Sequence, residues 1–224
     1  MTRSRSPAGP RLAAAALAPG ALAAAALLAA ALAVGASAAL PASAVAAGSA
    51  PGAGAPPAPG ALREAFRNRY VGKPAPSFVL KDLKGRPARL SDYRGKIVLL
   101  NFWFSGCGPC RMETPDLMQL HGLYKEKGLA VLGINLDAVM IPQEQGRMLK
   151  AFLSEFPVPY PVLLGDAKVY QDYGGVPVQP ISFLLDRDGV VVRLFWGAFP
   201  GAAYDRAIRP YLAGRGERPP APGP

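Results

Sequence analysis

Two stretches of the chain, Lys96–Phe104 (KIVLLNFWF) and Leu129–Leu136 (LAVLGINL), are almost continuously apolar. That pattern predicts strands buried on both faces of a sheet that helices cover. Between them, Cys107–Tyr124 predicts a helix that ends at Lys125-Glu126-Lys127-Gly128, with cations in the last turn and a Gly stop. Gln143–Phe156 has helical spacing, with Met148, Leu149, Phe152, Leu153 and Phe156 on its apolar side. Tyr160–Leu164 predicts a short strand. Pro180–Leu185 and Val190–Trp196 flank Asp186-Arg187-Asp188-Gly189 and predict a β-hairpin. Ala202–Leu212 predicts a closing helix. Upstream, Leu62–Arg69 predicts a short helix, Gly72–Pro76 (GKPAP) an extended lead-in, and Ser77–Leu83 a strand. Lys84–Pro87 and Ser91–Gly95 predict turns. Strands alternate with helices first and a hairpin comes last. This order predicts an α/β fold, a mixed sheet flanked by helices on both faces.

Composition sets the bounds of that domain. Of 224 residues, 25 are Gly and 25 are Pro, and many of them fall in 48–60 (GSAPGAGAPPAPG) and 214–224 (GRGERPPAPGP). Such segments bury too little apolar surface to offset chain entropy, so both are expected to be disordered. Leu12–Leu40 carries no charge and follows Arg3, Arg5 and Arg11. The small-residue triplets Ala36-Ser37-Ala38 and Ala42-Ser43-Ala44 come after its most apolar part. The order basic, apolar, small reads as an export signal. Uncleaved, the run is long enough to be a membrane anchor. Either way the folded part is expected outside the cytoplasm, periplasmic or otherwise extracytoplasmic. The expected organisation is 1–47 export signal or anchor, 48–61 disordered linker, 62–213 folded domain and 214–224 disordered tail.

Charge excludes less. The formal net charge is +10. Six of the 25 basic residues and one of the 15 acidic residues precede Tyr70. The domain from Tyr70 onward therefore carries 19 basic and 14 acidic residues, a mild and interspersed excess. No Lys/Arg block with interleaved aromatics is present, so nucleic acid is not an expected partner.

The chemistry concentrates in Cys107-Gly108-Pro109-Cys110, where the buried strand gives way to a helix. A helix N-terminus carries about half a positive charge and free N–H groups. Both favour a thiolate, the attacking species in disulfide exchange. Pro109 suits the first turn, where its missing N–H costs nothing. Cys107, the earlier and more exposed of the two, is expected to attack, and Cys110 to resolve the mixed disulfide. A purely structural disulfide here would close a four-residue loop worth about 1.9 kcal/mol, against about 4.7 for a loop of ~100 residues. A metal pair would need two further ligands, and His121, the single His, cannot supply both. No metal or other cofactor is expected beyond the Cys107–Cys110 redox pair.

The run Asn101–Pro115 (NFWFSGCGPCRMETP) resembles the active-site segment of the thioredoxin superfamily. It is most similar to exported TlpA/ResA/CcmG-type thiol–disulfide oxidoreductases. Gly72–Phe78, Leu90–Lys96, Gly133–Asp137 and Pro180–Asp186 followed by Gly189 match that group in order and spacing. The likeness covers about Val71–Leu212. It implies a thioredoxin-like sheet and an enzyme that reduces protein disulfides, with Gly108-Pro109 resembling the reducing thioredoxins. It implies a protein disulfide substrate, with apo-cytochrome c as the leading class, and a membrane protein as electron donor. A disulfide donor or isomerase, or a thioredoxin-like binding module, are the alternatives.

Peroxide reduction is disfavoured, because Leu100–Ser105 holds neither the Pro nor the Thr that such enzymes place before their cysteine. Pro180 is implied to be the family's cis-proline facing the pair, with Pro177 as its rival. Gln179 is implied to offer backbone groups to substrate. Trp103 matches the family's aromatic beside the dithiol and is implied to cover the pair and grip substrate; packing at the end of a core strand would also explain it. Glu113 matches an acidic residue that tunes the thiols and carries a proton. Plain complementarity to the helix dipole, at a surface position, would also explain it. Asn101 stands where cytoplasmic thioredoxins have a buried Asp. Pro115 resembles a structural helix proline, and His121 is expected to be solvated.

Overall fold

The computed structural model describes residues 59–220. The expected signal or anchor and nearly all of the expected linker lie outside this range, as do 221–224. Fifteen elements follow one another: α1 (Pro59–Tyr70), β1 (Val79–Asp82), β2 (Pro87–Arg89), a 3-10 turn (Leu90–Tyr93), β3 (Ile97–Trp103), α2 (Gly108–Tyr124), a 3-10 turn (Lys125–Lys127), β4 (Leu129–Asn135), α3 (Asp137–Met140), α4 (Gln145–Glu155), β5 (Val162–Leu164), α5 (Ala167–Asp172), β6 (Ile181–Leu185), β7 (Val191–Trp196) and α6 (Gly201–Leu212).

The strands form one seven-stranded sheet in the order β2-β1-β5-β4-β3-β6-β7. The β3–β4 and β4–β5 pairings are parallel and the others antiparallel. Every residue of β3 and β4 is buried, which is why those runs carry no polar alternation. On one face, Phe66 and Tyr70 of α1, Val169 of α5 and Tyr173 pack with Leu100, Phe102 and Phe183. On the other, Leu117, Leu120 and Tyr124 of α2 and Tyr204, Ala207 and Ile208 of α6 pack with Leu99, Val131 and Leu184.

Several boundaries differ from expectation. Helix α1 begins at Pro59, inside the stretch expected to be linker. Its anchors, Phe66 and Tyr70, have their rings 4.9 Å apart and tilted, and Phe66 meets Trp196 edge-on at 5.2 Å. Strand β2 and helices α3 and α5 are too short to leave a periodic signal. Ser91–Gly95 is partly a 3-10 turn. In α4 only Phe152 is fully buried, although five residues share the apolar side. Residues 214–220 form no helix or strand, yet Arg218 pairs with Asp186 and Asp188.

Candidate active site

Register brings the site together at one end of the sheet. Strand β3 runs to Trp103, and its antiparallel partner β6 begins at Ile181, opposite Phe102. The residue before β6 is Pro180, so it lies at the same sheet end where β3 passes through 104–106 into α2. The Gln179–Pro180 bond is cis, and the Val176–Pro177 bond is not. Upstream, Val176 is a buried β-branched residue with φ 39°, in the left-handed region that such side chains avoid. Its carbonyl accepts from Gln179 Nε2 at 2.8 Å. Neither backbone polar group of Gln179 makes a hydrogen bond among the described residues.

The turn into α2 is held from β4 and α3. Asp137 is buried, and its carboxylate accepts from Ser105 N–H (2.7 Å), Ser105 Oγ (2.7 Å) and Asn135 Nδ2 (3.1 Å). The sequence reading did not single out Ser105 or Asp137 by role. The signal available was an acidic residue directly after a buried strand.

Cys107 is the N-cap of α2, followed by Gly108 and Pro109 in the first turn. It is joined to Cys110 by a disulfide with an S–S distance of 2.02 Å. The Cys110 N–H donates to Cys107 Sγ at 3.2 Å. That free helix-start N–H is the kind of donor that favours a thiolate. The expectation that Cys107 is the more exposed needs correcting in degree. Cys107 is 5% exposed and Cys110 3%. Both pack with Trp103, Phe152 and Val162 in one small cluster, which accounts for the cover.

Trp103 is 4% exposed, with its ring 4.3 Å from that of Phe152. It packs beside the disulfide in the same small cluster. Its indole lies against Gly133, where a Cβ would come within 2.9 Å of Nε1. His121 also departs from its expected solvated state. Its ring is half-buried, meets Tyr160 edge-on at 5.9 Å, and its Nδ1 is buried without a partner. Burial, then Lys125, holds its pKa below the ordinary histidine value. Pro115 lies inside α2, as the resemblance implied.

Glu113 is 3% exposed, so the surface reading of it does not hold. Its Oε1 accepts from Asn101 Nδ2 at 2.8 Å. Its Oε2 accepts from Phe199 N–H and from Tyr204 OH, each at 3.0 Å. Asn101 Nδ2 also donates to Ser182 Oγ at 2.9 Å, and Ser182 Oγ lies 3.2 Å from Tyr204 OH. Burial raises the Glu113 pKa to about 7, against the lowering effect of those hydrogen bonds. Ser182 and Tyr204 were missed from sequence. The signal for Ser182 was a hydroxyl inside the apolar run Ile181–Leu185. Among the described residues, no group of three or more His, Cys, Asp or Glu gathers as a metal site requires.

Comparison with known proteins finds relatives of this chain. Residues 71–194 match the model of the AhpC/TSA family. The thiol-disulfide oxidoreductase ResA of Bacillus thuringiensis subsp. konkukian is 37% identical over 124 residues, covering 55% of this chain and 68% of that protein. ResA of Geobacillus kaustophilus is 38% identical over 139 residues, 62% of this chain and 76% of that one. The crystal structure of a thiol:disulfide interchange protein, DsbE, from Chlorobium tepidum superposes with a TM-score of 0.57 at 36% identity. It covers 63% of this chain and 97% of that chain.

Proposed function

This chain belongs to the AhpC/TSA family, with ResA-type thiol–disulfide oxidoreductases among its relatives, and from that premise we propose that it reduces protein disulfides outside the cytoplasm. The observation that carries the reading is the placement of Cys107 at the start of α2, with the Cys110 N–H aimed at its sulfur.

In the dithiol form, the Cys107 thiolate attacks one sulfur of a substrate disulfide. The substrate's other sulfur leaves as a thiolate and takes a proton. Cys110 then gives up its proton, and its thiolate attacks Cys107 Sγ. The first substrate sulfur is expelled, and the Cys107–Cys110 disulfide closes. Two electrons pass to the substrate. A separate electron donor must restore the dithiol, and a membrane protein is the proposed source. Glu113, one helical turn past Cys110 and titrating near neutrality, receives the Cys110 proton. Gln179, with unpaired backbone groups beside Pro180, offers them to an extended substrate segment. Gly108 and Pro109 form the first turn that holds the pair.

The uncharged run Leu12–Leu40 behind three Arg supports export, whether cleaved or retained as an anchor. No helix among the described residues is long and apolar enough to cross a membrane. The resemblance to the TlpA/ResA/CcmG group makes apo-cytochrome c the substrate class to test first.

The test is insulin reduction by the dithiol form, together with a redox titration. Wild type is expected to be active and Cys107→Ser inactive. Cys110→Ser should accumulate a mixed disulfide that a thiol reagent releases. A potential near about −270 mV fits a reductant, and one near about −120 mV would make the chain a disulfide donor instead. A wild type that neither reduces insulin nor exchanges electrons in redox buffers would overturn the enzyme reading.

A further inference from the structure

The two oxygens of Glu113 are occupied unequally. Oε2 faces Phe199 N–H from the β7–α6 connection and Tyr204 OH from α6, so both of its lone pairs are taken. Among the described residues Oε1 accepts only from Asn101 Nδ2 and keeps one lone pair open. The Asn101 Nδ2 and the Phe199 N–H can only donate. The Tyr204 hydroxyl is the one partner able to turn either way. Ser182 can direct it from behind. Ser182 Oγ already accepts from Asn101 Nδ2, so its own proton is free to point at the Tyr204 oxygen, 3.2 Å away. The chain Asn101 to Ser182 to Tyr204 to Glu113 then runs one way, with every member satisfied.

We propose that Tyr204 is a positioning residue of the redox site: by filling the second lone pair of Glu113 Oε2, it confines the exchangeable proton of Glu113 to Oε1. The inference rests on Glu113 as the proton carrier. A proton taken up at Oε1 leaves the Oε2 contacts intact, so the acid can load and unload without rearranging α6. Tyr204 is itself fully buried, and burial, with Glu113 beside it, holds its pKa far above the ordinary tyrosine value. It therefore stays a neutral donor. In the oxidised protein, the form to be titrated, Cys107 and Cys110 are disulfide-bonded and do not titrate, and the other titratable groups facing Glu113 are Asp116 of α2 and Tyr160, which precedes β5. The Asp116 carboxylate is engaged by Gly201 N–H at 2.7 Å, and Tyr160 is also held neutral by burial.

The test follows the carboxyl carbon of Glu113 by NMR in full-length protein labelled with 13C-glutamate, with Glu113→Gln to identify the resonance. Tyr204→Phe keeps the ring, which packs 4.2 Å from that of Phe195. It removes one hydrogen bond to the charged form, so the Glu113 midpoint should rise by about one pH unit. Ser182→Ala should move it upward by less. Site-specific 3-fluorotyrosine at 204, a stronger donor of the same shape, should move it downward. The fluorotyrosine arm also covers a Tyr204→Phe protein that fails to fold. Midpoints unmoved by Tyr204→Phe, or moved in the same direction by Phe and fluorotyrosine, would overturn the proposal. The titration needs no turnover. A wild type inactive on insulin would sink the function and leave this result standing, and the converse also holds.

Discussion

At the residue scale, Glu113 is where the site departs most from a surface carboxylate. Its ordinary pKa of 4.5 is raised to about 7, chiefly by burial. The folded state therefore holds this proton more tightly than the unfolded chain does. Between about pH 4.5 and 7 the unfolded state releases the proton first, so stability falls as pH rises through that window. The expected loss is on the order of 3 kcal/mol across it. Glu113→Gln should remove that slope in denaturant midpoints measured from pH 4 to 8; a variant that keeps it would place the titration elsewhere. In sequence, Glu113 stood three places past Cys110 and could be flagged. Whether it faced solvent could not be read there. That depends on Tyr204, 91 residues away, and Ser182, 69 residues away, closing over it.

Elements fix the site by a few contacts each. Helix α4 docks through Phe152, its one fully buried residue, which touches both Trp103 and the cluster holding the disulfide. Phe152→Ala is expected to destabilise the protein by about 3–5 kcal/mol. It should also free α4 first, seen as loss of hydrogen-exchange protection over 145–155 ahead of β3. Protection that falls uniformly would count against this. The turn before Cys107 depends likewise on Asp137. Asp137→Ala leaves buried Ser105 and Asn135 donors without their acceptor and should cost about 2–4 kcal/mol in the denaturation of the oxidised form. A change under about 0.5 kcal/mol would show that the turn is held by other means. The long elements were legible because their burial is complete or strongly one-sided. Strand β2 and helices α3 and α5 were not, since three to six residues carry no period.

For the whole molecule, the reducing direction has a thermodynamic signature. A strong oxidant is one whose reduced form is the more stable. A reductant should show the opposite order. Closing the four-residue loop alone favours the oxidised form by about 1.9 kcal/mol. The oxidised protein should therefore unfold at higher denaturant concentration than the dithiol form. The reverse order would argue for a disulfide donor. Removing the tail from 214 onward should change stability by less than about 1 kcal/mol, because Arg218, which pairs with Asp186 and Asp188, is itself half-exposed.

The division between sequence and structure follows the range of the interactions. The linear order of residues was enough for the two central strands, the helix starting at the cysteine pair and the hairpin, because those depend on burial periodicity and on spacing within a few positions; the thioredoxin-like class came from the resemblance of separated motifs to that family. Folding alone determined that Trp103 is packed against Phe152, that His121 is half-buried beside Tyr160, and that Glu113 is sealed beneath Phe199 and Tyr204. Each depends on which distant strand or helix packs alongside, and the low polarity created by that packing is what sets the proton affinity of Glu113.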